Sequence, residues 1–93
     1  MEIQHKDNGK KGAFFIEQNG EIVAEMTYVW TGKTGIIIDH TNVDEKLKGQ
    51  GAGKKLVIKA IEFARKNNLK IMPLCTFAKS VFDKEIAFRD VLK

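Results

Sequence analysis

One cysteine, Cys75, one proline, Pro73, one tryptophan and one tyrosine are all that the 93 residues hold of those types. A lone cysteine cannot staple a small fold internally, so the core must hold itself and the thiol is expected to be reduced. No apolar run approaches the roughly 20 residues that a membrane span needs. The opening Met-Glu-Ile-Gln-His-Lys has no apolar signal stretch behind its charges. A cytoplasmic setting and no membrane partner are therefore expected. The histidines are His5 and His40, and His5 lies far from Cys75 in sequence, so no metal site is expected. The length excludes a second folded domain and predicts one domain over residues 1–93.

What is present is ordinary for a folded chain: 43% hydrophobic residues and 30% charged residues of mixed sign argue against disorder. Sixteen Lys and Arg against 12 Asp and Glu leave a net charge of +4. Such a surplus suits nucleic acid, an acidic protein or a polyphosphate cofactor without choosing between them. The aromatic residues fall at strand spacing, the pattern of a core rather than a base-stacking platform, and no recognition helix is legible, which disfavours nucleic acid. Lys46, Lys48, Lys54, Lys55, Lys59, Arg65, Lys66 and Lys70 crowd the glycine cluster at the middle of the chain. Alone, that crowding also describes a solvated helix face.

Periodicity gives the elements. Asn8-Gly9 and Asn19-Gly20 are turn dipeptides, the second a strong hairpin signal because a type I′ turn needs two positive φ angles. They are flanked by strand-like segments, Ala13 to Gln18 and Glu21 to Trp30, the latter setting Ile22, Ala24, Met26, Tyr28 and Trp30 on one face. After the turn residues Thr31 to Gly35, Ile36-Ile37-Ile38 reads as a central strand buried on both sides, turning polar through Asp39, His40, Thr41, Asn42 and Val43. From Gly53 to Asn67 the period becomes helical, with Leu56, Val57, Ala60, Ile61, Phe63 and Ala64 on one stripe. Asn67-Asn68 is a left-handed stop. Leu69 to Phe77 reads as a strand whose Pro73, lacking an N–H, belongs at an edge or beside a gap. Ala78 to Leu92 predicts a C-terminal helix whose Phe82, Phe88 and Leu92 suit either the core or a dimer patch.

The chemistry concentrates in Lys48-Gly49-Gln50-Gly51-Ala52-Gly53-Lys54. A glycine-rich turn between a strand and a helix points successive backbone N–H groups into one concavity, where the helix dipole adds positive potential, and such a site binds phosphate. A Walker A loop would need Gly at 48 and Ser or Thr at 55, and both are Lys; a Rossmann fingerprint would need Gly at 54, also Lys. A surface turn without chemical purpose is the remaining alternative.

The run resembles the acetyl-CoA loop of the GNAT superfamily of N-acetyltransferases, an Arg/Gln-x-x-Gly-x-Gly/Ala pattern opening a helix after a central strand. Lys48 stands in place of the usual Arg or Gln. The likeness extends over about half the chain, from the strand ending at Asn42-Val43 through the loop and helix to the strand Lys70 to Phe77. His40-Thr41-x-Val43, Gly51-Ala52-Gly53 and Pro73-x-Cys75 together resemble a group of very small stand-alone GNAT-like proteins. The resemblance implies an α+β (α/β mixed-sheet) fold with N-terminal antiparallel strands, a central acetyl-CoA loop and helix, a splayed following strand and a C-terminal helix. It implies acetyl-CoA as cofactor, its pantetheine on the backbone of Asn42 and Val43 and its pyrophosphate on Lys48, Gly49, Gln50, Gly51, Ala52, Gly53 and Lys54. Larger members begin with one or two helices that help to build the acceptor-amine site, and this sequence begins with strands. Their later Asn and Tyr, the Tyr often the acid for the leaving thiolate, are absent from Ala78 to Lys84.

Should the strands carrying them flank the gap, Cys75 and His40 would pair as nucleophile and base, opening a route through acetyl-Cys75. A small buried hydrophobe and a strand-end imidazole are the plainer readings. In direct attack, His40, or Asp39 or Asp44 through water, would take the amine's proton. The leaving group would be protonated by solvent, Ser80 or Cys75. The expected function is thus acetyl transfer to an amine of a small molecule or protein, with a non-catalytic acyl-CoA-binding or sensing module as the alternative, in a monomer or weak homodimer.

Overall fold

Two tight turns build the antiparallel part of the sheet. The computed structural model describes residues 2–93, and in it Asn8-Gly9 joins β1 (Gln4–Asp7) to β2 (Lys11–Gln18). Asn19 and Gly20, with φ of 52° and 80°, join β2 to β3 (Glu21–Thr31), the positive angles expected of a type I′ hairpin. A third turn leads to β4 (Gly35–Val43). Then follow a 3-10 turn at Glu45–Leu47, helix α1 (Ala52–Asn67), β5 (Lys70–Pro73), helix α2 (Thr76–Lys84) and a 3-10 segment, Ile86–Val91. The described residues form one five-stranded sheet in the order β1-β2-β3-β4-β5, antiparallel throughout except for the parallel pair β4 and β5. No helix among them is long and apolar enough to cross a membrane.

Helix α1 exists because its apolar residues form one stripe. Leu56, Val57, Ala60, Ile61 and Ala64 are all fully buried against Phe14, Met26, Ile36 and Ile38. Each large side chain in such a stripe contributes about 1.5–3 kcal/mol relative to exposure. Left-handed Asn68 (φ 56°) closes the helix, and the Leu69 N–H returns to the Ala64 carbonyl at 2.8 Å. Phe82 and Val91 join the same core, with Phe88 and Leu92 half-buried against it, so these tail residues are core rather than an exposed patch.

Several expectations change. Ile22 is exposed and Val23 buried, because the β2–β3 register slips between Ile16 and Glu17 and the added residue reverses the alternation. Ile37 is only half-buried between fully buried Ile36 and Ile38, because the helices cover one face of the sheet. The strand expected to run to Phe77 stops at Pro73, and the expected tail helix is broken at Glu85, whose backbone is extended. There Arg89 donates to the carbonyls of Phe82 and Asp83, satisfying the end of α2. Arg65 holds the final segment through a two-pronged pair with Asp90 at 2.9 and 3.0 Å.

The β1 edge is locked by a cluster that no local sequence pattern assembles. The Tyr28 hydroxyl lies between the His5 ring, 2.7 Å from Nε2, and the Asp7 carboxylate, to which it donates. Trp30 Nε1 donates to the same carboxylate at 2.9 Å. His5 stacks on Phe14 with centroids 4.2 Å apart, and Phe63 of α1 closes edge-on at 4.8 Å. Gly12 makes this possible: a Cβ there would meet the Tyr28 hydroxyl and the Lys6 carbonyl at 2.5 Å. Burial, assisted by the bond to Asp7, drives the Tyr28 hydroxyl far above its ordinary pKa. Burial lowers the His5 pKa against the opposing pull of Asp7. At Asp7 burial acts to raise the pKa, and the hydrogen bonds from Tyr28, the Gly9 N–H and Trp30 outweigh it, leaving a net lowering.

Candidate active site

At the opposite edge the sheet parts. β4 and β5 pair from Gly35 with Lys70 to Ile38 with Pro73 and no further. The N–H groups of Leu74 and Cys75 converge on the Ile38 carbonyl at 3.0 and 3.2 Å, closing the vertex. Asp39 is the extra residue of a bulge, and from His40 to Val43 β4 is paired with β3 alone. The Asp44 N–H donates to the Val23 carbonyl at 2.8 Å, so by antiparallel alternation Asn42 turns its backbone toward β3. Thr41 and Val43 turn theirs into the gap. Of the two strand-end residues expected to offer backbone groups, Val43 therefore faces the gap and Asn42 does not. The cause is the β3–β4 bulge between Thr27 and Tyr28, which moves the outward set by one residue beyond Ile38.

The same register separates Cys75 from His40. Thr41 stands opposite Met26, on the core face, and His40 opposite Thr27, on the other face. Cys75 Sγ reaches Thr41 Oγ1 at 3.1 Å, and His40 projects on the far side of the strand. The expected pairing of Cys75 with His40 is not formed, because successive strand residues point to opposite faces. Cys75 is half-buried immediately before α2. The Ser80 hydroxyl is spent on the Phe77 carbonyl at 2.6 Å. Asp44 caps the 3-10 turn by accepting the Lys46 N–H at 2.9 Å, a structural task. Asp39 accepts the Thr27 hydroxyl at 2.5 Å on the helix-free face.

Beside the gap lies the glycine loop. Gly49 and Gly51 have φ of 82° and 71°, conformations that L side chains rarely adopt, and a Cβ on either would meet nothing within 4 Å. Space is open where a ligand would approach. Because the first intrahelical bond runs from the Lys55 N–H to the Gly51 carbonyl, the N–H groups of Ala52, Gly53 and Lys54 have no acceptor within the helix. Gly53 carries a different constraint: a Cβ there would strike the Phe77 ring at 2.7 Å, so α2 packs directly on the start of α1. Lys48 Nζ reaches Glu45 at 2.9 Å, Lys54 Nζ reaches Glu85 at 3.0 Å, and both pairs lie on the surface. Gln50 Nε2 donates to the Lys46 carbonyl at 3.2 Å. A groove of about 440 Å³ joins the two features, lined by Thr41, Val43, Leu47, the loop and Phe77.

A parallel strand pair parted beside a glycine loop that opens a helix defines a class. A family model for GCN5-related N-acetyl-transferases matches residues 13–91. The chain belongs to that family and is an acyltransferase by membership, its acceptor unspecified. A solved structure of a GCN5-like candidate N-acetyltransferase from Staphylococcus aureus is 42% identical, with a TM-score of 0.75 over 97% of this chain and 87% of that one. A ribosomal-protein-alanine N-acetyltransferase from Brucella melitensis shares the fold at 16% identity and TM-score 0.68 over 83% of this chain. An aminoglycoside acetyltransferase from an uncultured soil sample does so at 18% identity and TM-score 0.64 over 84%. This chain spans 62% and 58% of those two longer proteins. No curated protein sequence matches it.

Proposed function

We propose that the protein transfers an acetyl group from acetyl-CoA to an amine, by direct attack at the gap between β4 and β5. The observation that carries this is the parting of the strands at Ile38 and Pro73 beside the glycine loop. Bound there, acetyl-CoA supplies an acetyl group activated as a thioester. The residues fit such a ligand: Thr41 and Val43 offer backbone groups to the pantetheine amides, as a partner strand would. The N–H groups of Ala52, Gly53 and Lys54, with the loop of Lys48, Gly49, Gln50 and Gly51, hold the pyrophosphate. Lys48 and Lys54 add charge once released from Glu45 and Glu85, pairs weak enough to exchange. His40, on the helix-free face, takes the proton of the incoming ammonium. The Cys75 thiol and Thr41 hydroxyl, bonded to each other at the gap, hold a proton where the leaving thiolate needs one.

The test is Gly51→Glu, which sets a carboxylate where phosphate should lie. By calorimetry the Kd for CoA should rise about tenfold or more, the loss of a charge-assisted hydrogen bond, in a protein whose circular dichroism is native. Unchanged affinity in the folded variant would overturn the phosphate assignment.

A further inference from the structure

The helix-free face holds an open groove of about 470 Å³ crossing the sheet from β1 to β4. Ala13 and Val29 line it between polar ends: Lys11 and Asn8 toward β1 and β2, Thr27 and Asp39 toward β4. Lys6 and Glu25, 3.7 Å apart, pair within it. The β4 end matters because Asp39 directly follows Ile38, the last β4 residue paired with β5. The groove thus reaches the vertex of the gap from the face opposite the core.

Its β4 end carries Asp39 and its other end Lys11, beside an Asp7 whose carboxylate is taken up by the Tyr28 hydroxyl, Trp30 Nε1 and the Gly9 N–H. Thr27 fixes one carboxylate oxygen of Asp39 at 2.5 Å, and the other makes no hydrogen bond among the described residues. Lys11 forms no ion pair among the described residues and stands opposite Val29, whose β4 partner Ile37 lies two residues before Asp39. Lys11 and Asp39 are therefore two strand spacings apart across the sheet and two residues apart along it, about 12 Å at the backbone, and both residues line the groove. A volume of this size suits a small metabolite rather than a folded partner. A polyamine would bring positive charge against Lys6 and Lys11.

We propose that this groove is the acceptor site and that the acceptor is a small amine that also carries an anionic group, its ammonium at Asp39 and its anion at Lys11. The inference rests on the acetyl-CoA reading of the gap, since it is the vertex that brings the amine to the thioester. In the transfer a C–N bond forms as the C–S bond breaks. Of the three ammonium protons, one stays on the amide nitrogen, one ends on the thiol sulfur and one passes to solvent.

The test is residue-resolved NMR of the full chain titrated with 6-aminohexanoate and, separately, with hexylamine, which has the same amine and no anion. The first should shift the amides of Lys11, Ala13, Thr27 and Asp39, and hexylamine should bind about tenfold more weakly. Lys11→Glu should reverse that preference. Asp39→Asn should weaken both ligands, and Thr27→Val should do so to a smaller degree, providing a second variant should the first fail to fold. Equal affinity for the two probes, shifts outside the groove, or an unchanged preference in Lys11→Glu would overturn the proposal. Parallel CoA titrations separate the two readings: CoA shifts at Lys48 to Lys54 should survive in every variant. Their absence from the unmodified protein would overturn the phosphate site while amine binding in the groove still stood.

Discussion

At the β1 edge the Tyr28 hydroxyl sits between His5 and Asp7, Trp30 donates to the same carboxylate, and Phe14 and Phe63 close over the group. At the β5 edge the ladder stops after Ile38, the backbones of Thr41 and Val43 lack a strand partner, and Leu74 and Phe77 are 62% and 40% exposed. One edge uses its polar groups to fix the sheet, and the other leaves backbone groups and apolar surface uncovered. Unpaired backbone groups persist only where water or a ligand can meet them. A fold with a thin core can leave one edge open because the rest, including the Tyr28 cluster, secures it; the edge that binds is then distinct from the edge that stabilises.

The largest effect is expected from breaking the closed edge. Gly12→Val would drive side-chain atoms into the Tyr28 hydroxyl and the Lys6 carbonyl, both 2.5 Å from the new Cβ. Denaturant titration should show a loss of more than about 3 kcal/mol, at the upper end for overpacking. Gly51→Glu, at the open edge, places a Cβ that meets no atom within 4 Å and should cost about 1–2 kcal/mol for its left-handed backbone. Should the two lose equal stability, the contrast between the edges fails.

The pH dependence sharpens the same contrast. His5 has its pKa lowered in the folded state, so between the ordinary value of 6.5 and its folded value the unfolded chain binds more protons. Stability should therefore fall as pH drops below about 6.5 and level off once the folded imidazole is also protonated. Asp7, also lowered, adds stability that is present above 3.8 and lost as the pH falls through its folded value. His5→Phe should remove the first loss and keep the second. An unchanged profile from pH 7 to 5 in that variant would place the titrating group elsewhere.

Smaller effects belong to the open edge. CoA affinity should weaken several-fold between 50 and about 200 mM salt, because exposed lysines meeting phosphates are screened over about 10 Å at 0.1 M. A salt-independent Kd would leave Lys48 and Lys54 with a solubilising role only. Cys75→Ala should cost about 1 kcal/mol or less and leave CoA binding intact. Incubation of the unmodified protein with acetyl-CoA and no acceptor should give no acetyl-cysteine by mass spectrometry. An acetyl group on Cys75 would contradict direct attack.

Local signals were legible. Asn19-Gly20 and Asn68 adopt the left-handed backbone their residue types favour, α1 follows its apolar stripe, and Pro73 stands on the edge strand where the ladder ends. The glycine loop was visible because a glycine-rich turn opening an amphipathic helix turns successive N–H groups into one concavity. What stayed hidden was set by register. Two bulges, opposite Val23 and beside Tyr28, buried Val23 instead of Ile22 and exchanged Thr41 for Asn42 at the gap. The β3–β4 register also set His40 and Cys75 on opposite faces, which their spacing in the chain could not reveal. Nor did any local pattern bring His5, Asp7 and Tyr28 together across three strands, although Gly12 within an otherwise bulky strand was a usable sign of close approach.

The most direct measurement is a residue-resolved NMR titration of the full chain with acetyl-CoA. Amide shifts should concentrate at Lys48 to Lys54 and at Thr41 and Val43, and His5, Asp7, Tyr28 and Trp30 should stay in place. An absence of binding, or shifts centred on the Tyr28 cluster with the glycine loop unmoved, would contradict the assignment of the open edge as the cofactor site.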